Sequence, residues 1–201
     1  MPSSISVQLY SVNDALNADL DGGLSKLASI GLRYVEAFDF VRRPTELRAA
    51  LDRHGLTAPT GHAYLVSEEI RRRDGTVTPV PPHQETFAAA QQLGLETVID
   101  PFVAPEKWTS IEDVTETARR LNEAAAEATG YGLTVGYHNH DHELRPRSTT
   151  GLRSKCSLII SMRRCAWRWT CTGRRRPGWS CTGRRRPGWS WSAFSRGWVI
   201  A

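Results

Sequence analysis

Four times in the first 140 residues a helix-like run ends in Gly-Leu and passes straight into a short apolar run. The passages are Gly31-Leu32-Arg33-Tyr34-Val35-Glu36, Gly55-Leu56-Thr57-Ala58-Pro59, Gly94-Leu95-Glu96-Thr97-Val98-Ile99 and Gly132-Leu133-Thr134-Val135-Gly136-Tyr137. Glycine just past a helix takes the left-handed conformation that ends it at little cost. The β-rich residues that follow read as buried strands. Strands alternating with helices imply a parallel sheet with right-handed crossovers. With an opening strand at residues 5–12, five strands fall within 144 residues, about 29 per unit. Eight such units need about 230 residues, near the roughly 250 of a (β/α)8 barrel. The expected fold class is therefore α/β of the (β/α)8 TIM-barrel type, truncated to about five βα units. A doubly wound open sheet is the rival, but no Gly-x-Gly-x-x-Gly follows the first strand.

The segments before the glycines carry helical spacing. Ile111, Val114, Ala118, Leu121, Ala125 and Ala128 fall on one face, with Ser110 placed as the cap and Asp113 at the box position. Leu20, Leu24 and Leu27 form a second such face, and Leu47, Ala50 and Leu51 a third.

Charge divides the chain into two unlike parts. Residues 1–150 hold 14 Lys/Arg and 21 Asp/Glu, whereas 151–201 hold 12 Lys/Arg and no acid. Glu143 is the last acidic residue, and all four cysteines and six of the seven tryptophans follow it. The expected organisation is a partial barrel over 1–150 and an irregular basic tail, rich in Trp and Arg, over 151–201. Cys156, Cys165, Cys171 and Cys181 show no Cys-x-x-Cys spacing. The first residues lack a basic region followed by an apolar run, and no stretch approaches the ~20 apolar residues of a membrane span. No leader and no membrane partner are expected. A cysteine-free first part fits a cytoplasmic location.

In a barrel of this kind the chemistry lies at the C-terminal ends of the strands. Those ends are polar here: Gln8, Tyr10 and Ser11 on the first, Glu36 on the second, His62 on the third, Asp100 on the fourth. The fifth ends in Tyr137-His138-Asn139-His140-Asp141-His142-Glu143. Three histidines and two carboxylates in six residues can ligate a divalent metal, orient its ligands or move protons. Alternation puts His138 and His140 on one side if the strand runs that far. The plainer alternatives are a solvated polar turn for this run, a structural ion pair for Glu36 and a satisfied interior histidine for His62. For Asp100 the Asp-Pro turn signal is the favoured reading.

Val7-Gln8-Leu9-Tyr10-Ser11-Val12, Gly31-Leu32-Arg33-Tyr34-Val35-Glu36, Gly61-His62-Ala63 and Gly136-Tyr137-His138-Asn139-His140-Asp141-His142-Glu143-Leu144 resemble the sugar phosphate isomerase/epimerase family. That family belongs to the xylose isomerase-like TIM barrels, together with inosose dehydratases and type IV AP endonucleases. The resemblance covers residues 5 to about 148. It implies a divalent metal (Mn, Mg or Zn) at the barrel mouth and proton transfer next to a sugar carbonyl through an enediolate. It implies catalytic roles for Glu36 and His62, substrate contacts from Gln8, Tyr10, His140 and Glu143, and the metal-ligand position for His138. Relatives carry Glu-Asn-His where this chain has His138-Asn139-His140, and their remaining ligands come from later strands. Specificity is expected in loops such as residues 66–82, a plausible lid, and in the part this chain lacks.

The tail reads as a shifted frame. The decapeptide Cys-Thr-Gly-Arg-Arg-Arg-Pro-Gly-Trp-Ser stands at 171–180 and again at 181–190. Joining each codon's third base to the next codon's first two, Trp169-Thr170 must give Asp. The neighbouring codons permit Val-Ala-Leu-Asp-Leu-Tyr-Trp, similar to the family's metal-binding strand six. A frameshift near 145–155 would leave open sheet edges, prone to aggregation or oligomerisation, and the chain as written is expected to be unstable and inactive and not to bind the metal of the intact family. Two other functions remain: an AP endonuclease on the same barrel, and a non-enzymatic tail whose Arg and Trp hold nucleic acid.

Overall fold

The computed structural model describes residues 4–71 and 75–144, together with short strands at 165–168 and 198–200. The expected reading of the twin decapeptides, and of Cys156, Cys171 and Cys181, lies outside these residues. The five expected strands are present: β1 (Ser4–Gln8), β2 (Tyr34–Phe38), β3 (Thr57–His62), β6 (Thr97–Asp100) and β7 (Thr134–His138). They pair in parallel in the order β1-β2-β3-β6-β7. An antiparallel hairpin, β4 (Glu69–Arg71) with β5 (Val77–Pro79), rises from the segment expected as a lid.

Two differences concern the strands. The first ends at Gln8, and residues 9–12 form a 3-10 turn that buries Leu9. That turn redirects the chain into α1 (Asn13–Ala18) and α2 (Leu20–Ser29). The expected open edges each carry a short strand: β8 (Cys165–Arg168) lies parallel to β7, and β9 (Trp198–Ile200) lies parallel to β1. Pairing needs only free backbone donors and acceptors, so a tail without strand periodicity still adds to an edge.

The helices α2, α3 (Pro44–Arg53), α4 (His83–Leu93) and α5 (Ile111–Ala128) cover one face of the sheet. Gly31, Gly55, Gly94 and Gly132 all have positive φ, so the Gly-Leu passages end their helices as expected. Ser110 Oγ accepts from Asp113 N and Asp113 Oδ2 accepts from Ser110 N, both at 3.0 Å, closing the capping box. Leu24, Leu27, Leu47, Ala50 and Leu51 are buried, and Leu20 is partly so. The α5 stripe is Val114, Thr117, Ala118, Leu121, Ala124, Ala125 and Ala128. Ile111, expected on that face, is 54% exposed, because the first helical turn lies beyond the edge of the core. Among the described residues no helix is long and apolar enough to cross a membrane.

Gly61 marks how closely helices and sheet approach. A Cβ there would lie 2.6 Å from Leu95 Cδ1, 3.0 Å from Phe40 Cε1 and 3.2 Å from Ala37 Cβ. Gly61→Ala should therefore cost about 1–3 kcal/mol of stability through overpacking. Urea unfolding reads the effect, and an unchanged midpoint would mean that Leu95 yields without strain.

Candidate active site

Register brings three of the expected residues together. Gln8 lies directly opposite Glu36, Glu36 opposite Thr60, and Phe38 opposite His62. Directly opposed residues share a face, and alternation carries His62 to the same face as Thr60. This is the face away from the helices, at the C-terminal ends of the strands. His62 Nε2 lies 3.1 Å from Glu36 Oε2, with both residues buried. A carboxylate accepts, so Nε2 carries the proton of that bond. The Gln8 amide nitrogen is 2.9 Å from His62 Nδ1 and 3.3 Å from Nε2. Being near both nitrogens, it sits over the ring rather than on the axis of one lone pair. His138 meets His62 edge-on, with ring centroids 5.5 Å apart. Tyr10 stands at the rim, 43% exposed, with its ring 4.9 Å from that of Phe38.

Strand β7 stops at His138, and the chain turns through His142–Leu144. His138 and His140 nevertheless remain neighbours, with ring centroids 5.0 Å apart. Glu143 is buried and organises this loop. Its Oε1 accepts from the Tyr137 hydroxyl at 2.7 Å, and its Oε2 accepts from His140 N at 2.7 Å. Oε1 also lies 3.8 Å from His140 Nδ1 and 3.5 Å from His142 Nε2. Burial works against the Glu143 charge, but the neighbouring His140 side chain and the Tyr137 hydroxyl outweigh it and hold the carboxyl below its usual range. Burial, with the nearby Glu143 charge, pushes the Tyr137 phenol far up. Phe102 packs edge-on against both His140 and His142. Glu143, expected to contact substrate, thus has both oxygens engaged within the protein.

Asp100 does more than start a turn. Its Oδ1 accepts from Phe102 N at 3.0 Å, the expected Asx-type bond. Its Oδ2 accepts from Leu65 N at 2.8 Å and Val66 N at 3.0 Å. The carboxyl is fully buried, and burial pushes it up to about 6, while these donors and His62 restrain the rise. Asp100 therefore ties the loop after β3 to the loop after β6. Sequence reasoning missed this tie, as it missed Tyr137 as the donor to Glu143.

A groove of about 420 Å³ lies elsewhere, lined by Leu65, Val80, Pro82, His83, Arg120 and Glu127 among others. None of Gln8, Glu36, His62 or His138 lines it. The Glu36–His62 pair at the sheet mouth lies outside this groove.

No protein-family model matches the sequence, and no curated protein matches it. Solved structures do match. A sugar phosphate isomerase/epimerase from Parabacteroides distasonis aligns over 83% of this chain and 65% of its own, at 16% identity and a TM-score of 0.65. The fold is that of a xylose isomerase-like TIM barrel. An AP endonuclease, family 2, from Brucella melitensis aligns over 83% of this chain and 67% of its own, at 15% identity and a TM-score of 0.57. An IOLI protein with a bound zinc atom aligns over 80% of this chain and 59% of its own, at 16% identity and a TM-score of 0.52. This chain thus spans 59–67% of the length of these barrels.

Proposed function

We propose that the chain is the first five βα units of a sugar isomerase or epimerase that moves a proton next to a carbonyl through an enediolate. The observation that carries this reading is the buried Glu36–His62 pair at the strand ends. Glu36 takes the carbon-bound proton, and the His62 hydrogen bond holds its carboxylate in place and spreads the charge. Gln8 packs on the His62 ring, which fixes that ring's tilt, while Tyr10 and His140 lie toward the rim, where a small sugar would enter. Glu143 acts on substrate through the His140 loop that it secures. The fold match to the isomerase/epimerase from Parabacteroides distasonis supports the reaction class. The cysteine-free first 150 residues support a cytoplasmic place.

The metal that the resemblance implies does not fit at His138 among the described residues. The side chains whose ligand atoms gather there are His140, His142 and Glu143, without His138.

The same reading takes the end of the chain as out of frame. β8 lies on β7 where strand six of such a barrel would stand, and Arg168 pairs with His138. The Asp that the shifted frame forces at codons 169–170 would follow β8 directly, at the sheet mouth. Sequencing the DNA from codon 130 past codon 201 tests this point. Restoration of Leu-Asp-x-Tyr-Trp by a one- or two-base change supports it, and an unbroken frame removes it.

The activity test is solvent-deuterium exchange into aldoses and ketoses, followed by NMR with the chain as written and with the corrected frame. Exchange should appear with the corrected frame, and Glu36→Gln should lower it by about 10²–10⁴-fold. A folded corrected protein that exchanges no sugar would overturn the proposal. Cleavage of an abasic-site oligonucleotide would move the reading to the endonuclease branch that shares this fold.

A further inference from the structure

We propose that His140, His142 and Glu143 form a divalent-metal site of their own, contained in the loop after β7 and separate from His138. Their ligand atoms all lie within 4.8 Å of one another. Glu143 Oε1 is 3.5 Å from His142 Nε2 and 3.8 Å from His140 Nδ1. Four-coordinate zinc with bonds of about 2.0–2.2 Å separates its ligand atoms by a little over 3 Å, so binding closes these gaps by up to about 1.5 Å and turns the stacked rings of His140 and His142 toward a common point. His140 Nδ1 is a buried atom with no hydrogen-bond partner among the described residues. A buried ring nitrogen without a partner costs stability, and a metal would relieve that cost.

The surroundings suit such a site. The Tyr137 hydroxyl donates to Glu143 Oε1 and so holds a ligating oxygen in place. His140 N donates to the other oxygen, fixing the carboxylate plane. His142 Nε2 also lies 3.0 Å from the Val103 carbonyl. A metal takes the place of that bond, or it uses the other ring nitrogen while the Val103 contact orients the ring. Phe102 packs edge-on against both imidazoles, which stack with centroids 5.6 Å apart. Two imidazoles and one carboxylate suit zinc or cobalt and leave a coordination position open. All three ligands come from four consecutive residues, so the site needs nothing from the later strands of a complete barrel.

The test is uptake of Co²⁺ by the full chain, read from its visible absorption, with Zn²⁺ competition. The four cysteines are replaced by serine so that thiolates do not contribute. One Co²⁺ per chain should bind, and His142→Ala and His140→Ala should each weaken binding at least about tenfold. His138→Ala should leave it within about twofold. Circular dichroism of each variant separates a lost ligand from a lost fold. No stoichiometric uptake by the folded chain would overturn the site, as would His138→Ala weakening binding as much as His142→Ala. Neither outcome depends on sugar exchange, so this site and the proposed activity stand or fall separately.

Discussion

Asp100→Ala should cost on the order of 3–5 kcal/mol of stability, because it leaves three backbone N–H groups without their acceptor. Leu65, Val66 and Phe102 donate to this one fully buried carboxyl, and no water-exposed substitute is at hand. The loss would also release the loop after β3 from the loop after β6, next to His62. Urea unfolding measures the cost, and a change under about 1 kcal/mol would show that those donors find other partners. Asp100→Asn keeps one acceptor oxygen and isolates the charge. The folded carboxyl titrates at about 6, against an ordinary value of 3.8. Between those values the folded state binds more protons than the unfolded one. Its contribution is therefore greatest below about pH 4, declines as pH rises toward 6 and is level above that. Wild type minus Asp100→Asn should fall across this window by up to about 3 kcal/mol. A difference that rises with pH would contradict the burial argument.

Trp108→Ala should be comparably damaging, at about 3–5 kcal/mol. Trp108 is 1% exposed and is among the largest fully buried side chains of the described residues. Its ring lies 5.8 Å from that of Tyr137, centroid to centroid. Its Nε1 has no hydrogen-bond partner among the described residues, so the whole loss is packing and the cavity left behind. The cavity would open behind Tyr137, whose hydroxyl holds Glu143. Thermal melting of the variant reads the loss, and Trp108→Phe should recover a good part of it. If Phe were no better than Ala, filled volume would not be what Trp108 contributes.

Much of the fold is legible locally. The glycines at 31, 55, 94 and 132 mark helix ends because a left-handed residue is a property of the backbone at that point. Ser110 and Asp113 mark a helix start for the same reason, since both partners lie within one turn. The polar strand ends pointed to Gln8, Glu36 and His62, and the sheet register unites them. What escaped the sequence is made by distant chain. The donors to Asp100 Oδ2 lie 34 and 35 residues away and are backbone groups, which carry no residue signature. Ile111 fits the helical stripe by spacing, yet spacing does not say where the core ends. The hydrophobic Leu9 suits a strand and a buried turn equally, so the end of β1 could not be placed from composition. The two edge strands at 165–168 and 198–200 had no periodicity to announce them.

The strand order β1-β2-β3-β6-β7 follows the order of synthesis, with only the β4–β5 excursion between neighbours. Each long strand meets a partner already made, so the sheet can grow from its first edge as the chain leaves the ribosome. By residue 138 every pairing among these five strands is complete. Whatever follows that point comes too late to alter what they pair with. It alters only what is offered to the two free edges, β7 on one side and β1 on the other.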